Sequence, residues 1–175
     1  KGANNLHLIL IFSNEIDLDV LSADFEAIML RTKSKSSGSD ETIYWSYEDI
    51  VDFCKLHNGL LSIHAGKKSN GIDKEISNAL PVKEAIKADI AEFVDFFEVG
   101  RKSDIETYHK YVFKDIEEKP IIICSDCHDP RNYTTKESLW IKGKLTFSGL
   151  MQCIYQPSER IYIGTIPPAL DRVNK

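Results

Sequence analysis

Residues 121–130 read IIICSDCHDP, and this stretch decides the predicted fold. Three successive isoleucines followed by a cysteine predict a short buried β-strand, Ile121–Cys124. Asp126 and His128 follow this strand almost at once, and both are strong metal ligands. A carboxylate and an imidazole at the end of a core strand have little packing role, so they predict a functional site.

Similar patterns surround this stretch along the chain. Further strands are predicted at Leu6–Phe12, Leu60–His64 and Val94–Val99, and weaker ones at Leu139–Lys142 and Arg160–Ile163. Helical spacing is found in 19–31, in the segment capped by Ser46-x-x-Asp49, in 82–93, in the segment capped by Ser103-x-x-Glu106, and in 147–155. Strands that alternate with helices in this way predict parallel strands joined by crossovers, and therefore an α/β domain.

Two of the other predicted strands also end in side chains that can bind a metal. His64 ends one strand, and Glu98 lies at the end of the next. In parallel α/β sheets, ligands collect at the carboxyl ends of the strands, where loops converge over a rigid backbone. His7 differs from the others because it begins its strand. Imidazole and carboxylate together suit Zn, Mn or Fe.

The loop HAGKKSNG, residues 64–71, indicates the class of substrate. Its glycines allow backbone amides to approach an anion, and Lys67 and Lys68 add positive charge. A bound metal ion activates water and neutralises phosphate oxygens, so the predicted chemistry is hydrolysis of a phosphate ester. The alternative is that both lysines are ordinary solvated loop residues.

Length, charge and composition limit the other classes of protein to which the chain could belong. The chain has 175 residues, which predicts one domain, and its formal net charge of −5 argues against a broad nucleic-acid-binding face. A local basic pocket remains compatible with that charge. No apolar run approaches the roughly 20 residues that span a bilayer, so we expect a soluble cytoplasmic protein without membrane partners.

Cys124 and Cys127 form a CxxC motif, which leaves two interpretations open. The motif could belong to a redox or structural zinc domain, or it could be a pair of reduced thiols at a strand end. Redox motifs usually open a helix, and a zinc ribbon needs a second CxxC, which this sequence lacks. Both points favour reduced thiols.

Four segments resemble those of the PHP (polymerase and histidinol phosphatase) superfamily. SDCH (125–128) resembles its last motif, LLSIHAGK (60–67) an earlier one, and LHLILIF (6–12) a segment in which a histidine accompanies an apolar strand. Residues 138–164, SLWIKGKLTFSGLMQCIYQPSERIYIG, are similar to a stretch that follows the PHP motifs in certain bacterial proteins. In those proteins the PHP domain precedes an ABC/SMC-like ATPase domain, and they are linked to DNA repair or phage defence.

The resemblance implies a fold and a set of site residues. The fold would be an α/β protein built as a PHP-like distorted β/α barrel of about seven strands, with a trinuclear metal centre at the carboxyl ends of its strands. His7, His64, Asp126 and His128 would be metal ligands, and Glu98 an occasional ligand or a supporting residue. Asp126 and His128 would also carry the catalysis.

The family's opening His-x-His motif would lie before residue 1. We therefore expect an incomplete barrel whose exposed edge favours a homodimer. The abrupt start and the sequence IPPAL near the end predict a piece of a longer protein. Residues 1–166 would form the phosphoesterase domain, and 167–175 a linker towards a following ATPase domain.

The resulting hypothesis is a metal-dependent phosphoesterase that acts on a phosphate ester, such as a nucleotide or a nucleic-acid end. The alternative is a catalytically inactive PHP-like module that docks the ATPase domain or positions DNA.

Overall fold

Two separate β-sheets form the framework of the described part of the chain. The computed structural model describes residues 6–35, 45–65, 71–72, 89–113, 116–125, 127, 129–134 and 137–171. The larger sheet has four strands in the spatial order β1 (Leu8–Ile11), β2 (Leu60–His64), β3 (Phe96–Val99) and β4 (Ile121–Ile123). The smaller sheet is an antiparallel ribbon of β5 (Leu139–Ile141) and β6 (Ile161–Ile163).

Helices connect and cover these strands. They are α1 (Leu18–Lys35), α2 (Tyr47–Leu56), α3 (Ser103–Thr107), α4 (Phe147–Tyr155), α5 (Pro157–Arg160) and α6 (Pro168–Asp171). A π-helical turn, Tyr108–Val112, continues α3, and a 3-10 turn covers Pro130–Asn132. Residues 89–93 are helical, whereas the rest of the predicted helix at 82–93 lies outside the described residues. No helix in the described ranges is long and apolar enough to cross a membrane.

The predicted barrel is wrong. All six predicted strands are present, but within the described residues they form an open four-stranded sheet and a separate ribbon. The expectation that all strands run parallel is also wrong, because β1 pairs with β2 in antiparallel orientation and only β2, β3 and β4 are parallel. In the described part of this connection, the chain passes through α1 and α2 between β1 and β2.

The two faces of the larger sheet bury different sets of side chains, because successive residues of a strand point to opposite faces. Leu61, Ile63 and Phe97 lie on the first face, in the main core. Leu60 and Phe96 lie on the second face, where they pack against Cys153 of α4 and its neighbours. Helix α4 thus covers the apolar part of the second face.

The helix caps were partly predicted. Ser46 is the N-cap of α2, and its Oγ accepts a hydrogen bond from the Asp49 amide at 3.0 Å, as the capping-box signature indicated. His57 is the C-cap of the same helix. The predicted cap at Ser103 is wrong, because Ser103 is the first residue of α3 and Lys102 before it makes no side-chain cap bond.

Asp95, the residue before β3, makes two hydrogen bonds to β2 at the end of the sheet where both strands begin. Its Oδ2 accepts a hydrogen bond from the Leu61 amide at 2.8 Å, and its own amide donates to the Leu61 carbonyl at 2.8 Å. Burial raises the pKa of the Asp95 carboxyl, although the Leu61 bond and the Lys119 charge act in the opposite direction. Burial and the nearby Asp95 charge also raise the pKa of the Cys54 thiol to about 11.

Replacing Asp95 with asparagine should therefore stabilise the protein near neutral pH. A carboxyl whose pKa is raised by folding binds a proton more readily in the folded state, so its contribution to the free energy of unfolding falls as pH rises from about 3.9 through the folded-state pKa. Asparagine can still accept the Leu61 bond without a charge. We expect Asp95→Asn to raise the Tm at pH 7 by a few degrees and to change it little at pH 3.

Thermal unfolding of both proteins between pH 3 and pH 8 measures this difference. Asp52→Asn, on the exposed side of α2, is the matched control and should leave the pH dependence unchanged. A Tm difference between Asp95→Asn and the original protein that stays constant across this pH range would contradict the prediction.

Candidate functional site

Three of the predicted ligands meet at one edge of the larger sheet. His64 is the last residue of β2, and its Cα lies in register with Glu98 of the parallel strand β3. His7 immediately precedes β1, and its carbonyl accepts a hydrogen bond from the His64 amide at 3.1 Å. Because β1 is antiparallel to β2, the start of β1 lies beside the end of β2. The position of His7 at the beginning of its strand is thereby explained.

The three side chains are close and differ in their exposure. The ring centroids of His7 and His64 are 4.0 Å apart, with an interplanar angle of 57°. His64 Nε2 lies 3.6 Å from Glu98 Oε2. His64 and Glu98 are 5% and 3% exposed, whereas His7 is exposed to solvent. The site therefore has a buried floor and one imidazole open to incoming molecules.

The imidazole nitrogens and the carboxylate oxygens of these three residues are of the types that bind divalent metal ions. Two imidazoles and a carboxylate are common ligands of Zn, Mn and Fe. Ligands held at about 2.1 Å around a tetrahedral ion lie roughly 3.4 Å from one another, close to the observed 3.6 Å between His64 Nε2 and Glu98 Oε2. Within the described residues, however, no group of three or more His, Cys, Asp and Glu side chains is arranged to hold an ion. His64 and Glu98 supply two neighbouring donor atoms, and the ring of His7 lies close to that of His64.

Ser62 is a polar residue of this face that the sequence did not bring to attention. It lies two residues before His64 on β2, so both side chains point to the same face as Glu98. Its side chain is buried, and its Oγ has no hydrogen-bond partner within the described part of the chain. Buried hydroxyls are nearly always paired, so an unpaired one is typical of a place completed by a bound water or ligand. The serine inside the apolar strand LLSIH was the available signal.

The other predicted site residues cannot be placed. Asp126, His128, Lys67 and Lys68 lie outside the described residues. Strand β4, which precedes Asp126 and His128, is parallel to β3 and therefore ends at the same edge as Glu98. The roles predicted for these four residues stay predictions.

Beyond β4 the chain forms a short turn organised by Asp129. The Asp129 carboxylate accepts hydrogen bonds from the Arg131 amide, Nε and Nη2 and from Asn132 Nδ2, at 3.0–3.1 Å. The Arg131 guanidinium and amide hold the pKa of this carboxyl below its usual value. Ser125 Oγ donates to the Thr134 carbonyl at 3.0 Å, so both ends of the segment 125–134 are tied together.

The CxxC cysteines lie at this same strand end. Cys124 is exposed, and Cys127 is partly buried with its Sγ donating to the Asp129 carbonyl at 2.8 Å. All four cysteines are in the described part of the chain, and none forms a disulfide. Reduced thiols at this strand end stay the favoured prediction.

The remaining histidines are engaged in other parts of the fold. His57 Nε2 lies 3.2 Å from Asp24 Oδ2, without the geometry of a hydrogen bond, and its ring packs edge-on against Phe53. His109 Nδ1 lies 3.6 Å from Glu118 Oε1, and both side chains are exposed. Neither histidine was predicted as a ligand.

Comparisons with protein-family models, with curated proteins and with solved structures found no match for this chain. The resemblance to the PHP superfamily therefore stays a prediction that rests on the quoted motifs.

Proposed function

We propose that this protein is a phosphoesterase that depends on divalent metal ions. The observation that carries the proposal is the meeting of His7, His64 and Glu98 at one sheet edge, contributed by three different strands or strand ends. Two of the three side chains, His64 and Glu98, are buried, and burial of ionisable groups is costly, so their meeting supports a binding role.

The residues of the chain would have distinct roles. His64 and Glu98, fixed in two parallel strands, hold donor atoms on a rigid floor. His7 is exposed to solvent and would stand where a substrate enters. Asp126 and His128 follow the neighbouring strand and are proposed to complete the ligand set. When bound, a Zn, Mn or Fe ion would neutralise phosphate oxygens and lower the pKa of water.

Substrate binding would use the loop that follows β2. The Ala65 amide donates to the Glu98 carbonyl at 2.9 Å, which fixes the start of this loop at the edge where His64 lies. Lys67 and Lys68 come two and three residues later in the sequence and are proposed to bind the phosphate group. The proposal thus places the negative charge of the substrate beside the metal ligands.

Metal content and hydrolysis together test this function. The purified protein should contain Zn, Mn or Fe by elemental analysis, and should release phosphate from a simple ester such as glycerol phosphate. Chelation should abolish the release, and one of these metals should restore it, because the donor set on β2 and β3 suits these ions. A correctly folded protein that binds none of the three metals and hydrolyses no phosphate ester would contradict the proposal.

A further inference from the structure

A groove lies between helix α3, with the π-helical turn that continues it, and strand β6. Its volume is about 310 Å³, at the lower end of the range of about 300–1,000 Å³ that is typical of small-molecule sites. Among the described residues, Ile105 of α3, Ile121 of β4, and Ile161 and Ile163 of β6 line its walls. These side chains suit an apolar ligand, because binding removes their surface and that of the ligand from water.

Polar side chains mark the two ends of this groove. Lys102 immediately precedes α3, and His109 lies in the π-helical turn. Seven helical residues rise about 10 Å, so these two positions lie about 10 Å apart along the groove. His109 Nδ1 lies 3.6 Å from Glu118 Oε1, which also lines the groove, so this pair occupies the far end. A π-helical turn is rare and often accompanies a functional site.

Lys102 stands at the other end with its ammonium group exposed. Its Nζ lies 5.8 Å from the ring centroid of Tyr162, a further residue of the groove. Within the described part of the chain, Lys102 makes no hydrogen bond and no ion pair, so its three N–H donors are available to an anion. Lys119, the second lysine of the groove, instead donates to the Glu92 carbonyl at 3.4 Å. The position beside Lys102 therefore suits a negatively charged group best.

We propose that this groove binds a carboxylic acid with a linear aliphatic chain, whose carboxylate lies at Lys102 and whose chain lies along the isoleucines. A volume of 310 Å³ holds roughly ten water-sized groups, which matches an acid of about eight carbon atoms. This site is separate from the edge where His64 and Glu98 lie, and it does not depend on the proposed function. A ligand in the groove would contact both Ile121 of the larger sheet and Ile163 of the ribbon.

Calorimetric titration with octanoate tests the chemistry of the ligand. The dissociation constant should be about 1 mM or lower, as expected for an efficient ligand of this size. Octanol, which has the chain without the charge, should bind about 5-fold more weakly. Lys102→Ala should weaken octanoate binding by the same factor and leave octanol binding unchanged. Arg101→Ala removes the neighbouring exposed cation and is the matched control, which should bind octanoate normally.

A second variant tests the place of binding. Ser158 is an exposed residue at the rim of the groove, so Ser158→Phe should fill the groove without disturbing the core, and should abolish octanoate binding. For the original protein, octanoate at ten times its dissociation constant should raise the Tm by about 3–6 °C, and for Ser158→Phe it should not. Failure of the original protein to bind octanoate, equal affinity for octanol, or binding that neither Lys102→Ala nor Ser158→Phe alters would overturn the proposal.

Discussion

Replacement of His64 by alanine is expected to lower metal-dependent hydrolysis by at least about 100-fold, because loss of a ligand costs more than the 10- to 100-fold typical of a supporting residue. The His64 side chain is almost fully buried, and its Nε2 faces Glu98 Oε2 at 3.6 Å. Alanine removes this donor and leaves the Glu98 carboxylate without its imidazole neighbour. The measurement is kcat/KM for glycerol phosphate together with metal content.

Glu98→Gln keeps the shape of the side chain and removes its charge, so it tests the same site with less disturbance of packing. We expect an activity loss of about 10- to 100-fold and weaker metal binding. His109→Ala is the matched control, because His109 is an exposed histidine paired with Glu118 and should leave both quantities unchanged. Folded His64→Ala and Glu98→Gln proteins that retain normal metal content and activity would refute the assignment.

Gly149→Ala should cause the largest loss of stability. Gly149 lies in the first turn of α4, and its amide donates to the Oγ1 of the N-cap Thr146 at 3.1 Å. A Cβ at this position would overlap the Lys144 carbonyl group, and neither backbone segment can rotate away as a flexible side chain could. Overpacking of this kind costs about 3 kcal/mol, which lowers the Tm of a domain of this size by about 6–12 °C.

The effect should extend to the second face of the sheet, because α4 packs against Leu60 and Phe96. Thermal unfolding followed by circular dichroism measures it. Gln152→Ala, on the exposed side of α4, is the control and should leave the Tm almost unchanged, since alanine favours helix. A Tm for Gly149→Ala within about 2 °C of the original would show that α4 and the preceding turn can separate without cost.

The sequence predicted the strands better than it predicted their arrangement. Runs such as Ile121–Cys124 identify strands locally, and Ser46 identifies a helix start, because periodicity and caps involve only near neighbours. The direction of β1 depends on the path of two intervening helices, which no local pattern records. The barrel was expected from a resemblance, whereas the alternation of strands and helices predicted only an α/β domain. Neither determines whether a sheet closes.

Parts of the site were predictable for the same reason. His64 ends β2 and Glu98 lies near the end of β3, so their proximity followed from the parallel pairing of these two strands. The orphaned Ser62 hydroxyl could not be foreseen, since satisfaction of a buried group depends on every neighbour. The turn that Asp129 organises was open to prediction, because an aspartate before a proline is a known start signal for such a turn.

Asp95 immediately precedes β3, and Glu98 is the next-to-last residue of that strand, so the two carboxylates lie about 10 Å apart along the chain. The Asp95 carboxylate is expected to weaken the fold at neutral pH, and the Glu98 carboxylate is proposed to bind a metal ion. Thermal tolerance can therefore be improved at one end without altering turnover at the other. The Asp95→Asn protein would then be a more stable background, in which destabilising substitutions at His64 or Glu98 leave the protein folded for assays.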